Sequence, residues 1–187
     1  MLVEDLANQV ISACEAEGVA HMVTGALAFN LYGIPRSTKD VDIVIDVSGP
    51  EGIAKLIARL EPGIEFRDQV QFDTLTWGRR HIGRPKGNTA LEVELFELFD
   101  DPFVREQFRR RKKTKSGQIK LETWVPTAED VVVQKIRWGR SKDLDDARDV
   151  LAVQGPETLD MQYVRGWCET HGTLARLEKI LTELPEL

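Results

Sequence analysis

The sequence predicts an α+β fold in which a mixed, twisted β-sheet is flanked by helices and followed by a C-terminal helical region. Apolar residues recur at helical spacing between Leu6 and Cys14, which indicates an amphipathic helix near the start of the chain. Residues 40–45 are rich in β-branched side chains and predict a strand. Apolar stripes at helical spacing return towards the end of the chain. We therefore expect a core over residues 1–125 and a helical region over residues 126–187, packed on that core.

The composition suits one domain that folds in the cytoplasm. The chain has 187 residues, 42% of them hydrophobic, and a net charge of -6, which argues against a surface generally coated with nucleic acid. No apolar run reaches the about 18 residues of a membrane span, and the N-terminal residues lack the basic region of a signal peptide. Cys14 and Cys168 are far apart in sequence, and we expect buried thiols rather than a disulfide.

The remaining elements follow from hydrophobic periodicity and from cap and turn signals. Thr127 is predicted to cap the helix after it, in a capping box with Asp130. We expect helices over residues 3–17, 26–32, 50–60, 102–113 and 128–138 and again after residue 156, and strands over residues 20–24, 40–45, 70–77, 89–99 and 119–125.

Two connecting stretches stand out between these elements. Residues 78–87 are basic and glycine-rich, and they form either a solvated hairpin connection, which we favour, or a loop that touches substrate. Residues 114–118 are predicted to be a linker-like break.

Two aspartates on the strand over residues 40–45 predict a metal site. Side chains alternate between the faces of a strand, so Asp40 and Asp42 share one face while Val41 and Ile43 take the other. Neighbouring carboxylates repel each other unless a cation or a proton lies between them. Mg²⁺ prefers oxygen ligands and binds through one or two carboxylates plus substrate phosphates.

A predicted phosphate site lies just upstream of these aspartates. Gly25 and Ala26 join a β-prone segment to a helix-prone one, and a strand–glycine–helix junction points backbone N–H groups at one spot. Arg36 and Lys39 lie in the loop before Asp40, where their charges can neutralise further phosphate.

These residues resemble the signature of the nucleotidyltransferase superfamily, the DNA polymerase β-like fold. The resemblance is carried by Gly25-Ala26, Arg36 and the Asp40-x-Asp42 pair, and the downstream chain is similar to the AbiEii-like, DUF6036-type branch over roughly residues 5–175. It implies a third carboxylate on a later strand. Ala26 stands where Ser or Gly is commoner in the pattern.

The third carboxylate is predicted on the strand over residues 89–99. Glu92 and Glu94 share one face by strand alternation, which does not choose between them. The resemblance selects Glu94, where Asp is commoner, with Glu92 as its rival. Both side chains can also be read as solvent-facing glutamates on an edge strand.

A further motif follows in the helical region. Lys135, Arg140 and Asp143 resemble the C-terminal Lys, Arg and Lys/Arg-Asp motif of the family branch, which implies that Lys135 approaches the nucleotide phosphates. Asp143 then orients basic groups or acts near the acceptor. The alternative is an ordinary charged helix with i, i+3 and i, i+4 pairs, which also accounts for Asp146 and Asp149.

A basic segment precedes that motif and predicts a contact with RNA or polyphosphate. The alternative is a set of cations that complements the C-terminal end of a helix dipole. The segment contains Arg105, Arg109, Arg110, Arg111, Lys112 and Lys113.

The function predicted from these features is metal-dependent transfer of a nucleoside monophosphate from a nucleoside triphosphate, such as ATP, to a hydroxyl acceptor. Asp40 and Asp42 would hold Mg²⁺ (or Mn²⁺) on the phosphates, and Glu94 with one of them would hold a second ion. The acceptor is an RNA such as tRNA, a protein or a small molecule, and the resemblance implies a possible toxin–antitoxin context with a cognate antitoxin or toxin.

Two other functions compete with this prediction. Ala26 and Glu94 favour a catalytically weak or inactive relative that binds nucleotide or a partner protein. A glycosyltransferase that holds a nucleotide-sugar with Asp-x-Asp is the other alternative, and the upstream Gly-Ala turn argues against it.

Overall fold

A computed structural model gives the fold and describes residues 1–47, 49–73, 78–115 and 122–184. Within those ranges the helices are α1 (Val3–Ala16), α2 (Gly25–Phe29), α3 (Gly49–Leu60), α4 (Pro102–Arg110), α5 (Ala128–Trp138), α6 (Ser141–Gln154), α7 (Met161–Thr170) and α8 (Leu174–Thr182), with a 3-10 helix at Pro156–Thr158. The strands are β1 (Ala20–Val23), β2 (Asp40–Asp46), β3 (Ile64–Phe66), β4 (Gln71–Asp73), β5 (Gly78–Pro85), β6 (Glu92–Glu97), β7 (Lys112–Lys115) and β8 (Glu122–Val125).

The main sheet runs in the order β1-β2-β6-β5-β3, and β4 pairs with β5. β2 and β6 are parallel, while the other pairs in this sheet are antiparallel. β7 and β8 form a separate antiparallel pair. The sheet is therefore mixed and accompanied by helices, which confirms the predicted α+β class.

Helix α1 shows why apolar periodicity predicted this helix correctly. It buries Leu6, Val10, Ile11 and Cys14 on one side, and it contacts β1, β2 and α3. Removing such side chains from water is the main stabilising contribution to the core. Both cysteines of the chain are buried free thiols, and burial raises the pKa of Cys14 to about 12.

The basic stretch over residues 78–87 is not a loop, and the predicted hairpin connection is wrong. Strand β5 occupies Gly78–Pro85 and pairs with β3, β4 and β6. Its arginines and glycines have the composition of a solvated loop, and this concealed the strand pattern in the sequence. The arginines pair with glutamates of the adjacent strand β6 instead, while Ile82 is buried.

Two helices are shorter than predicted. α4 ends at Arg110, and β7 begins at Lys112, inside the range predicted to be helical. Arg111 turns the chain: its backbone is extended, and its guanidinium lies over the rings of Phe108, at 4.0 Å, and Trp124, at 5.0 Å. α2 ends at Phe29, and the side chain of the next residue, Asn30, makes two hydrogen bonds to the backbone of Arg36.

Parts of three predicted segments lie outside the described residues. They are residues 74–77 of the predicted strand over 70–77, residues 119–121 of the strand over 119–125, and residues 116–118 of the predicted break. The first two residues of that break, Thr114 and Lys115, belong to strand β7.

The chain divides into two compact units. The first contains residues 1–27 and 37–125, and the second contains residues 28–36 and 126–187. Segment 28–36 joins the second unit through Tyr32, whose hydroxyl donates to the carbonyl of Pro126 and whose carbonyl accepts from Gln154. None of the described helices is long and apolar enough to span a membrane.

Thr127 caps helix α5 as predicted. Its hydroxyl oxygen accepts from the backbone N–H of Asp130 at 3.3 Å. The carboxylate of Asp130 accepts hydrogen bonds from the hydroxyls of Thr127, at 2.9 Å, and Tyr163, at 2.6 Å. The cap therefore also ties α5 to α7.

Candidate active site

Four acidic residues lie side by side on β2 and β6 in the first unit. The register of these parallel strands pairs Asp40 with Glu92 and Asp42 with Glu94. Register partners share a face of the sheet, and adjacent strands are about 4.8 Å apart. The sheet thus brings Asp42 and Glu94 together, although a long stretch of chain separates them in sequence.

Gly25 packs closely against the carboxylate of Asp42. Its φ of +62° lies in the left-handed region, and a Cβ added there would meet Oδ2 of Asp42 at 1.9 Å. The backbone N–H of Thr24 donates to the carbonyl oxygen of Asp42 at 2.9 Å, which continues the pairing of β1 with β2. Only glycine fits this position, because any side chain would displace the Asp42 carboxylate.

The neighbouring predicted phosphate contacts lie in the same unit. Ala26 is buried and follows Gly25 at the start of α2. Lys39 is exposed immediately before β2, and its carbonyl oxygen accepts from the N–H of Glu92 at 3.0 Å. Asp40 is exposed at the start of β2, and its N–H donates to the hydroxyl oxygen of Thr38.

Glu94 has a cation beside it that the sequence did not predict. Nη1 of Arg80 donates to Oε2 of Glu94 at 2.8 Å, and Nη2 of Arg80 donates to the side chain of Gln71 at 2.9 Å. Burial raises the pKa of Glu94, and the charge and hydrogen bond of Arg80 offset part of that effect. The charges of Glu92 and Asp40 raise the pKa of Glu94 further.

Glu92 carries two guanidinium partners instead of one. Arg67 lies 3.1 Å and Arg84 lies 2.9 Å from its Oε2. Arg80 and Arg84 are both on β5, so the arginines of this strand face the acidic residues of β6. Arg80 and Arg84 are four residues apart, so they share one face of a strand, and this spacing was the available sequence signal for the role.

The carboxylates of β2 and β6 are suitable ligands for a hard divalent cation, although they do not converge on one point. Carboxylate oxygens are the ligands that Mg²⁺ prefers, and Gly25 leaves room for one of them. Among the described residues, no group of three His, Cys, Asp or Glu side chains is close enough to hold a metal ion.

Lys135 and Asp143 meet in a buried ionic network of the second unit. Nζ of Lys135 lies 3.2 Å from Oδ1 of Asp143 and 2.6 Å from Oδ2 of Asp146. Arg36 donates to both oxygens of Asp146, at 3.2 and 3.1 Å, and Arg140 pairs with Asp143. Three predicted site residues, Arg36, Lys135 and Asp143, are thus joined in one cluster.

Asp146 is the member of this network that the sequence left as an ordinary helix charge. It bridges Lys135 of α5 to Arg36 of segment 28–36. Burial opposes ionisation of Asp143, but the hydrogen bond from Arg140 and the charge of Lys135 outweigh it, so the pKa of Asp143 is lowered. The i, i+3 spacing of Asp143 and Asp146 on α6 was the signal for a shared face.

Much of the basic segment already has acidic partners in the first unit. Arg105 pairs with Asp100 at 2.7 Å, Arg109 pairs with Glu106 at 2.6 Å, and Lys113 lies 3.4 Å from Glu122. Exposed pairs of this kind contribute little stability and are screened by salt. Lys112 and Lys115 are exposed on β7.

Comparison with known proteins identifies the family and the fold. Nucleotidyltransferases of unknown function (DUF6036) match residues 2–178 of the chain, and no curated protein matches it. The antibiotic-resistance factor ANT(2″)-Ia in solution has a similar fold, with a TM-score of 0.61 and 13% identity over 96% of this chain and 97% of that one.

Two further structures share the fold. ANT(2″)-Ia in complex with adenylyl-2″-tobramycin has a TM-score of 0.61 and 10% identity over 90% of this chain and 96% of that one. An antigenic nucleotidyltransferase-like protein from Paracoccidioides brasiliensis has a TM-score of 0.58 and 20% identity over 99% of this chain and 94% of that one. The predicted resemblance is confirmed at the level of the nucleotidyltransferase superfamily. The chain therefore belongs to the DUF6036 family and is a nucleotidyltransferase.

Proposed function

We propose that the protein transfers a nucleoside monophosphate from a nucleoside triphosphate to a hydroxyl acceptor and depends on a divalent cation, Mg²⁺ or Mn²⁺. The observation that carries this proposal is the grouping of Asp42, Glu94 and Gly25. Asp42 and Glu94 are register partners on parallel strands, and Gly25 leaves space for the Asp42 carboxylate. In the reaction the acceptor oxygen bonds to the α-phosphorus, and the bond from that phosphorus to pyrophosphate breaks.

Asp40 and Asp42 are the proposed metal ligands on the triphosphate, and Glu94 is the proposed third carboxylate. Bound there, the cation would neutralise phosphate charge and lower the pKa of the attacking hydroxyl. Glu94 is favoured over Glu92 because it is the register partner of Asp42, and because it pairs with one arginine whereas Glu92 pairs with two.

The backbone and nearby cations have separate proposed roles in binding phosphate. The N–H groups of Gly25 and Ala26 donate to phosphate oxygens, a role that Ala26 fills without a side-chain hydroxyl. Lys39 is exposed and supplies a positive charge.

The ionic network of the second unit supports roles for three further residues. We assign Asp143 to orienting basic groups, because it already holds Lys135 and Arg140. Lys135 is almost fully buried, while 42% of the Arg36 side chain is exposed. Of these two cations of the second unit, Arg36 is therefore the more accessible.

The proposed acceptors are an RNA such as tRNA, a protein or a small molecule. The fold neighbour ANT(2″)-Ia is an antibiotic-resistance factor seen with adenylyl-2″-tobramycin, which makes a small hydroxylated molecule worth testing beside RNA. A toxin–antitoxin context, with a cognate partner protein, is part of the proposal, as is ATP as one candidate donor. The buried thiols of Cys14 and Cys168 support a reducing compartment such as the cytoplasm.

The test is incorporation of label from each α-³²P-labelled nucleoside triphosphate in the presence of a total cell extract and Mg²⁺. We expect one or more acceptors to be labelled by the wild type and none by Asp42→Asn, because the amide cannot replace the charge at the metal. Asp46→Asn, on the exposed far end of β2, is the matched control and keeps the activity. Equal incorporation by wild type and Asp42→Asn would overturn the proposal.

A second candidate function is binding of nucleotide without efficient transfer. It is favoured by one observation, that the Glu94 carboxylate is already paired with Arg80. Thermal stabilisation by nucleoside triphosphate and Mg²⁺ without any labelled acceptor would support this alternative. Membership of the nucleotidyltransferase family argues against the nucleotide-sugar alternative.

A further inference from the structure

We propose that Arg80 takes the place of a second divalent ion, so that the active site works with a single metal ion. This inference rests on the proposed function and concerns the same carboxylates. A second ion would need Glu94 as its ligand, and the guanidinium of Arg80 already occupies Oε2 of that carboxylate at 2.8 Å.

The Arg80–Glu94 pair is held firmly in place. The side chains are 28% and 16% exposed, so that water screens their attraction only weakly. Gln71 accepts from the other terminal nitrogen of Arg80, which fixes the plane of the guanidinium. An ion at Oε2 of Glu94 would have to displace Arg80 or share that carboxylate with its guanidinium.

The backbone reinforces this arrangement. Arg80 is opposite Phe96 in the register of β5 and β6, and Ile82 is opposite Glu94, so Arg80 and Glu94 are diagonal neighbours on one face of a continuous sheet. Nε of Arg80 is buried, and no described group accepts its hydrogen. If the Arg80 side chain moved away, the largely buried carboxylate of Glu94 would lose its partner, which is unfavourable.

Electrostatics give the pair its chemical meaning. A guanidinium stays protonated at every pH at which the protein is folded, so Arg80 is a permanent cation that needs no metal in solution. It cancels the negative charge of Glu94 and thereby weakens the attraction for a second ion. Together Arg80 and Glu94 carry no net charge, so the pair offers a second ion no electrostatic attraction.

The test counts bound Mn²⁺ and bound nucleotide by equilibrium dialysis, in which the chamber without protein corrects for the Mn²⁺ that the nucleotide itself binds. The wild-type protein is saturated in turn with the α,β-methylene analogue of each nucleoside triphosphate, which binds without reacting. We expect one Mn²⁺ per bound nucleotide in the wild type and two in Arg80→Met, because Glu94 is then released. Arg79→Met, on the same strand but paired with Glu97, is the matched control and keeps one ion.

Each outcome decides something. Two ions in the wild type would overturn the inference and leave the proposed function standing. No bound Mn²⁺ with any of the four analogues would overturn the proposed function, and this inference with it. One ion in both the wild type and Arg80→Met would overturn the role assigned to Arg80, and the inference with it. If Arg80→Met does not fold, Arg80→Gln replaces it, and the inference again expects two ions.

Discussion

The carboxylate of Glu94 lies beside Asp42 in the register of two parallel strands, yet it accepts a hydrogen bond from Arg80 at 2.8 Å. One acidic residue thus belongs to two arrangements, a row of carboxylates on β2 and β6 and an ion pair between β5 and β6. The predictions below test the residues on either side of this row and the ionic network of the second unit.

Gly25→Ala should strongly reduce nucleotidyl transfer. A Cβ at this position would lie 1.9 Å from Oδ2 of Asp42, so the carboxylate must move by an ångström or more. Displacements of that size lower turnover by about 10²-fold. Labelled transfer measures the effect.

Gly18→Ala separates this clash from backbone strain. Gly18 has a φ of +64°, close to the +62° of Gly25, but nothing lies within 4 Å of its missing Cβ. We expect both variants to lose about 1 kcal/mol of stability from the left-handed backbone and only Gly25→Ala to lose activity. Equal activity in the two variants would contradict the role assigned to Gly25.

Lys135→Met should destabilise the protein strongly, by about 3 kcal/mol, because it leaves two buried aspartates short of a partner. Lys135 pairs with both Asp143 and Asp146. The measurement is the free energy of unfolding in urea. Lys179→Met is the control: its side chain is 75% exposed and 3.8 Å from Glu183, and we expect less than about 0.5 kcal/mol. Equal losses would show that the network contributes nothing.

The lowered pKa of Asp143 predicts that the protein loses stability in acid. Its pKa is lower in the folded protein than the value near 3.9 expected in the unfolded chain, so the unfolded state binds the proton first as the pH falls. The stabilisation is therefore complete above about pH 4 and is lost as the pH falls through the folded pKa. Urea midpoints at pH 6 and pH 3 measure it.

Asp143→Asn should show a smaller drop between these pH values than the wild type, because the amide does not titrate. Asp145→Asn, at an exposed carboxylate on the same helix, should fall as much as the wild type. A drop of the same size in Asp143→Asn and wild type would exclude Asp143 as the source.

Charge reversal on β7 tests the predicted RNA contact. Lys112 and Lys115 are exposed, and replacing both with Glu should weaken binding of total tRNA and lower the dependence of log K on log salt by about 1 for each lysine. Lys55 and Lys179, exposed on α3 and α8, give a double variant with the same net charge. If both double variants bind tRNA like the wild type, Lys112 and Lys115 do not contact RNA.

The sequence revealed the local parts of the candidate site and missed those that depend on distant strands. Alternation placed Asp40 and Asp42 on one face of β2, and the left-handed Gly25 follows from a strand–helix junction. The pairing of β2 with β6 does not follow from periodicity, because it joins segments far apart in the chain. For that reason Glu92 and Glu94 were indistinguishable until the register was known.

Strand β5 was missed for a different physical reason. Its arginines and glycines have the composition of a solvated loop, and only the glutamates of β6 allow them to lie within a sheet. Asp146 was treated as an ordinary helix charge for the same reason, since its partner Arg36 is 110 residues away in the sequence. Ion pairs between distant segments leave no periodic signal in a single sequence.

The two buried cysteines have a practical consequence. Thiols react as thiolates, and burial raises the pKa of Cys14 to about 12 and raises the pKa of Cys168 as well, so neither is readily alkylated at neutral pH. A single cysteine introduced on the surface would then be the one reactive thiol of the folded chain. Fluorescent or spin labels can thus be attached at a chosen position without first removing the native cysteines.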